Sequence, residues 1–517
     1  MLKKLFGQMF APKDPFAPRT RGSGFQRFIR ALIVATVVLV TVRLVWGCSS
    51  SGRLDRAMSQ ARQAKLPLKM LDVPLPTVSE DQDAWPIYVE MLRTAGQRGV
   101  GMAPLLEAQA QQQTLSEADK ARLAVAKADE SLLKNWHPGD ALEATWKQQM
   151  AERLSLNQDL LAQLAQGARK GSIRWRVTDD PTRPLEVDPL PLMTLARLML
   201  ARAAIALEEG RTVEGLDDLG VVFRVGYLVR QCPIVEMHPM EAVLAMEASA
   251  VLQRALPSID VPRESFARLI ADCQGGPVGP SLRTATQFTT AWLHKSYRTA
   301  LAGGHGALQA VEMWAFRPYI DSSHARALEL LMGIMPMIDG SYAHFIGPIE
   351  QRWLQAGGGP TGEWLRANMQ RVLSAAHAAA VAETYRAMSQ VALATRSWQT
   401  AHGGALPDSL DVLAGDLLPA LPADPMTDGP FQYVATDAPR LYSLGLDRKD
   451  NQGFCDRKDD ALGQKEHDIC FFLAGLPANP VTASRPATAP ASGPTTAPVS
   501  TPTTAPQKDT TATPGPA

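Results

Sequence analysis

The chain has 517 residues, 45% hydrophobic and 6% aromatic, with Lys+Arg and Asp+Glu balanced at 52 each. That length allows about two to four domains, and the balanced charge leaves no basic footprint for nucleic acid. Five cysteines are too few for a disulfide framework, while abundant Ala, Leu and Met with few aromatics predict a mainly α protein.

Residues 1–26 are basic, rich in Pro and Gly, and read as a disordered cytoplasmic tail. Residues 27–51, RFIRALIVATVVLVTVRLVWGCSSS, are the one apolar run long enough to enter a bilayer and read as a transmembrane anchor. Ala31–Val42 carries no charge, and apolar character resumes after Arg43 as far as Trp46. Helix over Ala31–Trp46 spans about 24 Å, and extension to Ser51 gives about 30 Å, a minimal crossing. Arg43 lies near one end, where it snorkels to headgroups beside Trp46. Lys3, Lys4, Lys13, Arg19, Arg21, Arg27 and Arg30 stand before or at its start against Asp14 alone. The positive-inside rule then predicts a bacterial inner (cytoplasmic) membrane protein with a cytoplasmic N-terminus and the bulk of the chain periplasmic. Two alternatives stay open. One is a signal peptide cut among Gly47 and Ser49–Ser51. The other is lipidation of Cys48, since Val45-Trp46-Gly47-Cys48 loosely resembles a bacterial lipobox with a bulky Trp46 in place of a small residue.

Residues 52–376 read as a helical body. Prolines break 54–78 after one short helix, and Ser79 or Asp81 caps a helix whose apolar face is Trp85, Tyr88, Met91 and Leu92. Further helices are predicted at 104–112, 116–134, 139–167, 190–209, 236–256, 262–273, 284–302, 306–316, 324–338 and 361–376. Between Gly171 and Pro191 the pattern is an extended connection with one short strand. Residues 324–338 are very apolar but too short to span a bilayer, so they read as a core helix.

Leu195–Val229 holds two amphipathic helices around Gly210-Arg211-Thr212. The Glu-Glu-Gly210-x-x-x-Glu214-Gly215-Leu216 pattern resembles the turn of a tetratricopeptide repeat, which implies a small residue at Gly215 for close helix packing. Met199 replaces the aromatic of that family, Arg202 interrupts the apolar stripe, and no neighbouring repeat follows. One αα-hairpin, partly TPR-like, is therefore expected rather than an array. Cys232 and Cys273 read as small core residues.

Residues 377–476 form a small α+β module. A helix over Val381–Ala401 ends at Gly403-Gly404, and strands are predicted at Phe431–Val434, Arg440–Gly445 and Asp468–Leu473. This order resembles the C-terminal region of type II secretion pseudopilins. Gly404, Leu406, Pro407, Leu410, Leu413, Leu421, Pro422, Asp424, Pro425, Tyr433, Tyr442, Ser443, Leu444, Gly445 and Asp447 match it. The resemblance implies calcium in the closing loop, with Asp447, Asp450, Asp456, Asp459 and Asp460 as candidate ligands and Asn451 and Asp468 beside them. Arg448 and Lys449 oppose such an ion, and a solvated acidic loop is the alternative. Cys455 and Cys470 are the candidate disulfide pair, with two free thiols the alternative. The body separates module from anchor, so a polymerising pseudopilin role is not implied. Asp83-Ala-Trp-Pro-x-Tyr88, Ala206-Leu-Glu-Glu-Gly-Arg211 and Tyr442-Ser-Leu-Gly-x-Asp447 together resemble envelope proteins of planctomycete-type bacteria, which implies a lineage and no activity. Residues 477–517, rich in Pro, Thr and Ala, read as a disordered tail.

There is no P-loop, G-x-G-x-x-G, G-x-S-x-G, H-E-x-x-H or C-x-x-C. Glu236-Met-His238-Pro-Met-Glu241 is the nearest approach to a metal motif, with a helix N-terminal turn as the other reading, and His294, His305, His324, His344 and His377 are scattered singly. The leading expectation is a non-enzymatic, single-pass envelope protein whose body binds a protein partner. A secretion or pilus-like assembly component is the second expectation, and an enzyme, a hydrolase with its site between helices of 190–376, is the third.

Overall fold

The computed structural model describes residues 23–453 and 468–475, apart from 135, 139, 277, 303–306, 355–359 and 437. The basic tail before residue 23, Cys455, Asp456, Asp459, Asp460, His305 and the Pro/Thr/Ala-rich end lie outside the described residues. Helix α1 (Ser23–Gln63) runs unbroken through the anchor and on into the body. Its most apolar window has a mean hydropathy of 2.3, and none of that window is buried in the protein. An N-terminal apolar helix suited to a membrane anchor or a signal sequence is therefore present.

The body continues with α2 (Trp85–Arg98), α3 (Ala103–Gln112), α4 (Glu117–Lys134), α5 (Ala144–Leu156) and α6 (Gln158–Ala168). Then come α7 (Leu190–Glu208), α8 (Thr212–Arg230), α9 (His238–Ala255), α10 (Arg263–Asp272), α11 (Val278–Ala302), α12 (Ala307–Ile334), α13 (Tyr342–Leu354) and α14 (Pro360–Ala401). The sheet follows as β1 (Gln432–Val434), β2 (Arg440–Ser443) and β3 (Ile469–Phe472), antiparallel in that order. Tyr433 faces Leu441, and Tyr442 faces Cys470. The protein is thus mainly helical with a small three-stranded sheet.

One apolar core runs from Ala61 to Leu473 and includes residues of body and module alike. Small side chains let its central helices approach closely. Ala245 and Ala248 on α9, and Ala375, Ala379, Ala382 and Ala387 on α14, are all buried. The sheet is tied to the body where the Phe472 amide donates to Gln253 Oε1 of α9 at 2.9 Å. Inside the module, buried Asp424 of the Leu-Pro-x-Asp-Pro segment accepts from Ser443 Oγ at 2.8 Å and from the Met426 amide at 3.0 Å. That pair links two of the motif segments the sequence singled out.

Several boundaries differ from those expected. The helix predicted over 139–167 is two, because the buried Asn157 turns its side-chain amide onto the Arg153 carbonyl at 3.0 Å between them. The segments 306–316 and 324–338 are joined in α12, which continues through Pro318 and ends at Ile334. The segments 361–376 and 381–401 are likewise one helix of 42 residues. The boundary drawn at 376/377 falls inside that helix, so module and body share a structural element. α13 was not expected, and it runs through Pro348. The strand sought in 171–191 reduces to isolated bridges, Val177 with Leu185 and Ser172 with Asp83.

The TPR-like turn is an αα-hairpin of α7 and α8. Gly210 has φ +78° at its turn, a left-handed value that favours glycine. A Cβ on Gly215 would lie 2.5 Å from Leu207 Cγ and 3.0 Å from the Ala203 carbonyl. Arg202, which interrupts the apolar stripe, crosses to α8 and binds both oxygens of Asp218, at 2.7 and 2.6 Å.

Candidate functional site

A groove of about 580 Å³ lies where the body meets the end of the module. Four pieces of chain frame it: the α4–α5 connection at Trp136–Leu142, the α7–α8 turn, the carboxyl end of α9, and Ala474-Gly475 leaving β3. Leu207, Val251 and Trp136 supply apolar lining. Trp136 is buried against Trp146, ring centroids 5.2 Å apart. The rim carries both signs of charge, Glu208 and Asp140 against Arg254, and the hydroxyls of Thr212 and Ser258. Lys147 pairs with Glu208 at 3.0 Å. A concave site that mixes apolar side chains with several polar and charged groups suits binding of a polar or amphipathic segment. None of these residues was nominated from the sequence. The one signal was Ala206-Leu-Glu-Glu-Gly-Arg211, which places Leu207, Glu208 and Gly210 on the groove. Trp136 and Ala474 come from distant segments, and only the tertiary fold brings them there.

The sequence-nominated Glu236–Glu241 segment lies elsewhere. His238 and Glu241 open α9, and both are fully buried. Arg230 Nε donates to Glu241 at 2.8 and 2.9 Å, while Nη2 donates to Glu383 at 2.7 Å and Nη1 to the Gly276 carbonyl at 2.6 Å. Arg386 Nε stands 3.4 Å from Glu241, and its Nη2 donates to the Phe223 carbonyl at 2.6 Å. Burial raises the Glu241 carboxyl and lowers the Arg386 guanidinium, and each is opposed by its partners. Two cations and two carboxylates leave the cluster balanced. Removing one partner from a buried pair of this kind costs about 3–5 kcal/mol, because the other is left charged and uncompensated. Glu241 is thereby committed to two arginines. His238, pushed down to about 4 by burial and then by Arg230, is held neutral. Among the described residues no group of three or more His, Cys, Asp or Glu stands together as a metal set.

In the closing loop of the module, the charges of Asp447 and Asp450 bear on Asp468. Asp468 is pushed up to about 6, by burial first and then by the charges of Asp450 and Asp447, against hydrogen bonds from backbone amides. Its oxygens accept the Asn451 amide at 3.3 Å and the Gly453 amide at 2.7 Å. Asp450 accepts the Gln452 amide at 2.7 Å, and Asp447 the Lys449 amide at 3.1 Å. These carboxylates organise the loop backbone. The other calcium candidates, Asp456, Asp459 and Asp460, lie outside the described residues. Cys470 is disulfide-bonded, while Cys48, Cys232 and Cys273 are free. The candidate partner Cys455 is outside the described residues.

The scattered histidines stay apart from the groove. His294 and His324 pack at 5.2 Å beneath the foot of α1, His377 lies on α14, and His344 forms an exposed contact with Asp428 at 2.8 Å. No family model matches the chain, and no curated protein and no solved structure matches it either.

Proposed function

We propose that this protein is a single-pass, membrane-tethered scaffold whose exported body holds a protein partner in the groove between body and module. The observation that carries this reading is the groove itself, lined by apolar side chains such as Trp136 and by groups of both charges, and built from segments far apart in the chain. The continuity of α1 supports an uncleaved anchor. Residues 47–51 are helical, and Gly47, Ser51 and Leu54 lie against α12, so a cut there would divide a packed helix. The cations before the apolar run favour a cytoplasmic N-terminus in an inner membrane with the body on the periplasmic side. Calcium in the closing loop is carried into this reading by the sequence resemblance alone, since Asp447, Asp450 and Asp468 accept backbone amides and form no metal set among the described residues.

A second reading, an adaptor for a secretion or pilus-like assembly, draws on the module. Its long helix, loop and three-stranded antiparallel sheet follow in the order that the sequence resemblance to the pseudopilin C-terminal region implies. One experiment serves both. A photo-crosslinking side chain at Thr212, on the groove rim, is expected to give a discrete protein adduct in living cells. Ser258→Trp, which fills the groove, should abolish it. A secretion-system subunit in the adduct would favour the second reading. An adduct indifferent to Ser258→Trp, or none, would overturn the groove as the partner site.

A further inference from the structure

Pro318 lies inside α12 and has no amide hydrogen for the carbonyl four residues earlier, that of Trp314. Arg43 of α1 fills the gap. Its Nε donates to the Trp314 carbonyl at 2.8 Å, its Nη2 donates to the same oxygen, and the guanidinium lies 4.8 Å over the Trp314 ring. One turn further along α1, the Cβ position of Gly47 is 3.8 Å from Pro318 Cγ. Ser51 then donates to Asp321 at 3.0 Å, Arg53 pairs with Glu329, and Leu54 and Ala57 pack with Ala325 and Leu328. Residue numbers rise together along both helices, so α1 and α12 run parallel. The amino-terminal end of α12 therefore points back along the anchor.

That geometry sets Trp314 and Phe316 level with residues 43–46, where the apolar span of α1 ends. Trp314 is 47% exposed and Phe316 60% exposed, beside Trp46 at 46%. Arg317 is also largely exposed. Exposed aromatics flanked by arginines, at the end of an apolar helix, are the furniture of a lipid headgroup region. α12 begins at Ala307, about 10 Å back from Trp314 toward the amino end of the anchor.

We propose that the amino-terminal end of α12, at Trp314 and Phe316, is a second membrane contact, lodged at the headgroup–acyl boundary beside the anchor and held there by Arg43. It rests on the reading of α1 as a membrane anchor. Arg43 gains from the arrangement as well. A guanidinium near the bilayer is costly, and here the carbonyl freed by Pro318 accepts two of its hydrogen bonds. The body is thereby fixed in orientation to the membrane instead of swinging on a single helix.

The test uses the full chain in phosphatidylethanolamine–phosphatidylglycerol nanodiscs. Cys48→Ser removes the exposed free thiol, since Cys232 and Cys273 are buried. A nitroxide is placed at Phe316→Cys, with Leu39→Cys on the anchor and Leu156→Cys on the body as references, both exposed positions. Accessibility to oxygen and to a water-soluble nickel chelate is then read by electron paramagnetic resonance. The oxygen-to-nickel ratio at 316 is expected to exceed that at 156 severalfold, and Arg43→Gln should lower it. A label at Trp314→Cys repeats the reading should the first variant fold poorly. A ratio at 316 equal to that at 156 would overturn the proposal in favour of water. Low access to both reagents would overturn it in favour of a protein neighbour. An aqueous ratio at Leu39 would bring down the anchor reading itself, and this proposal with it.

Discussion

His324 is enclosed beneath the anchor, with the rings of Tyr297 and His294 at 4.4 and 5.2 Å. Burial pushes its imidazole down to about 3, with the neighbouring His294 adding to the shift. An unfolded histidine titrates near 6.5. Between those values the unfolded chain binds a proton that the folded one refuses, so this group's contribution is intact above about 6.5 and is lost as pH falls. A His324→Phe variant lacks that loss. Its stability relative to the natural protein is expected to rise by about 1.4 kcal/mol per pH unit between about 6 and 4. Denaturant melts in detergent at several pH values check this, and parallel curves would remove His324 as a titrating group. Arg202 teaches the complementary lesson about single residues. In the sequence it interrupts an apolar stripe. In the fold it is the partner of Asp218, a pairing that exists only once the hairpin has closed.

At the scale of elements, periodicity located most helices, and their ends were the part it misplaced. The helix expected to end at 316 runs on through Pro318 in α12, and α13, which was not expected, runs through Pro348. In α12 the loss of the amide is offset by Arg43, a residue about 270 positions away in the chain. The αα-hairpin was legible because Gly210 and Gly215 mark its turn and its closest approach. Gly215→Val is expected to destabilise by about 1–3 kcal/mol, since the added carbons meet Leu207 and the Ala203 carbonyl, a backbone group that cannot turn aside. Gly96→Ala in α2 is the control, with nothing within 4 Å of its Cβ position, and it should stabilise by about 0.5–1 kcal/mol. Urea titrations of both variants measure the difference. Equal effects would mean that the hairpin does not pack as tightly as described.

Across the whole molecule, α14 joins body and module through one helix, and one core encloses residues of both. Body and module should therefore unfold together. Calorimetry of the full chain in detergent is expected to show one transition for these parts. Phe471→Ala, deep in the module's sheet, should lower it as a unit, with a cost of about 3–5 kcal/mol. Two separated transitions, with only one moved by Phe471→Ala, would restore the boundary at 376/377.

The apolar N-terminal helix, the mainly helical class, the hairpin turn and the three strands were legible in the residues alone, because each depends on local periodicity, glycine placement and charge near in the chain. Only the tertiary structure decided the continuity of α12 and α14, the commitment of Glu241 to two arginines, the groove at Trp136, and the union of Arg43 with Trp314. Their common reason is that a buried charge, a freed carbonyl or a concave floor is completed by groups from remote segments. Sequence spacing carries no record of which remote segment will arrive.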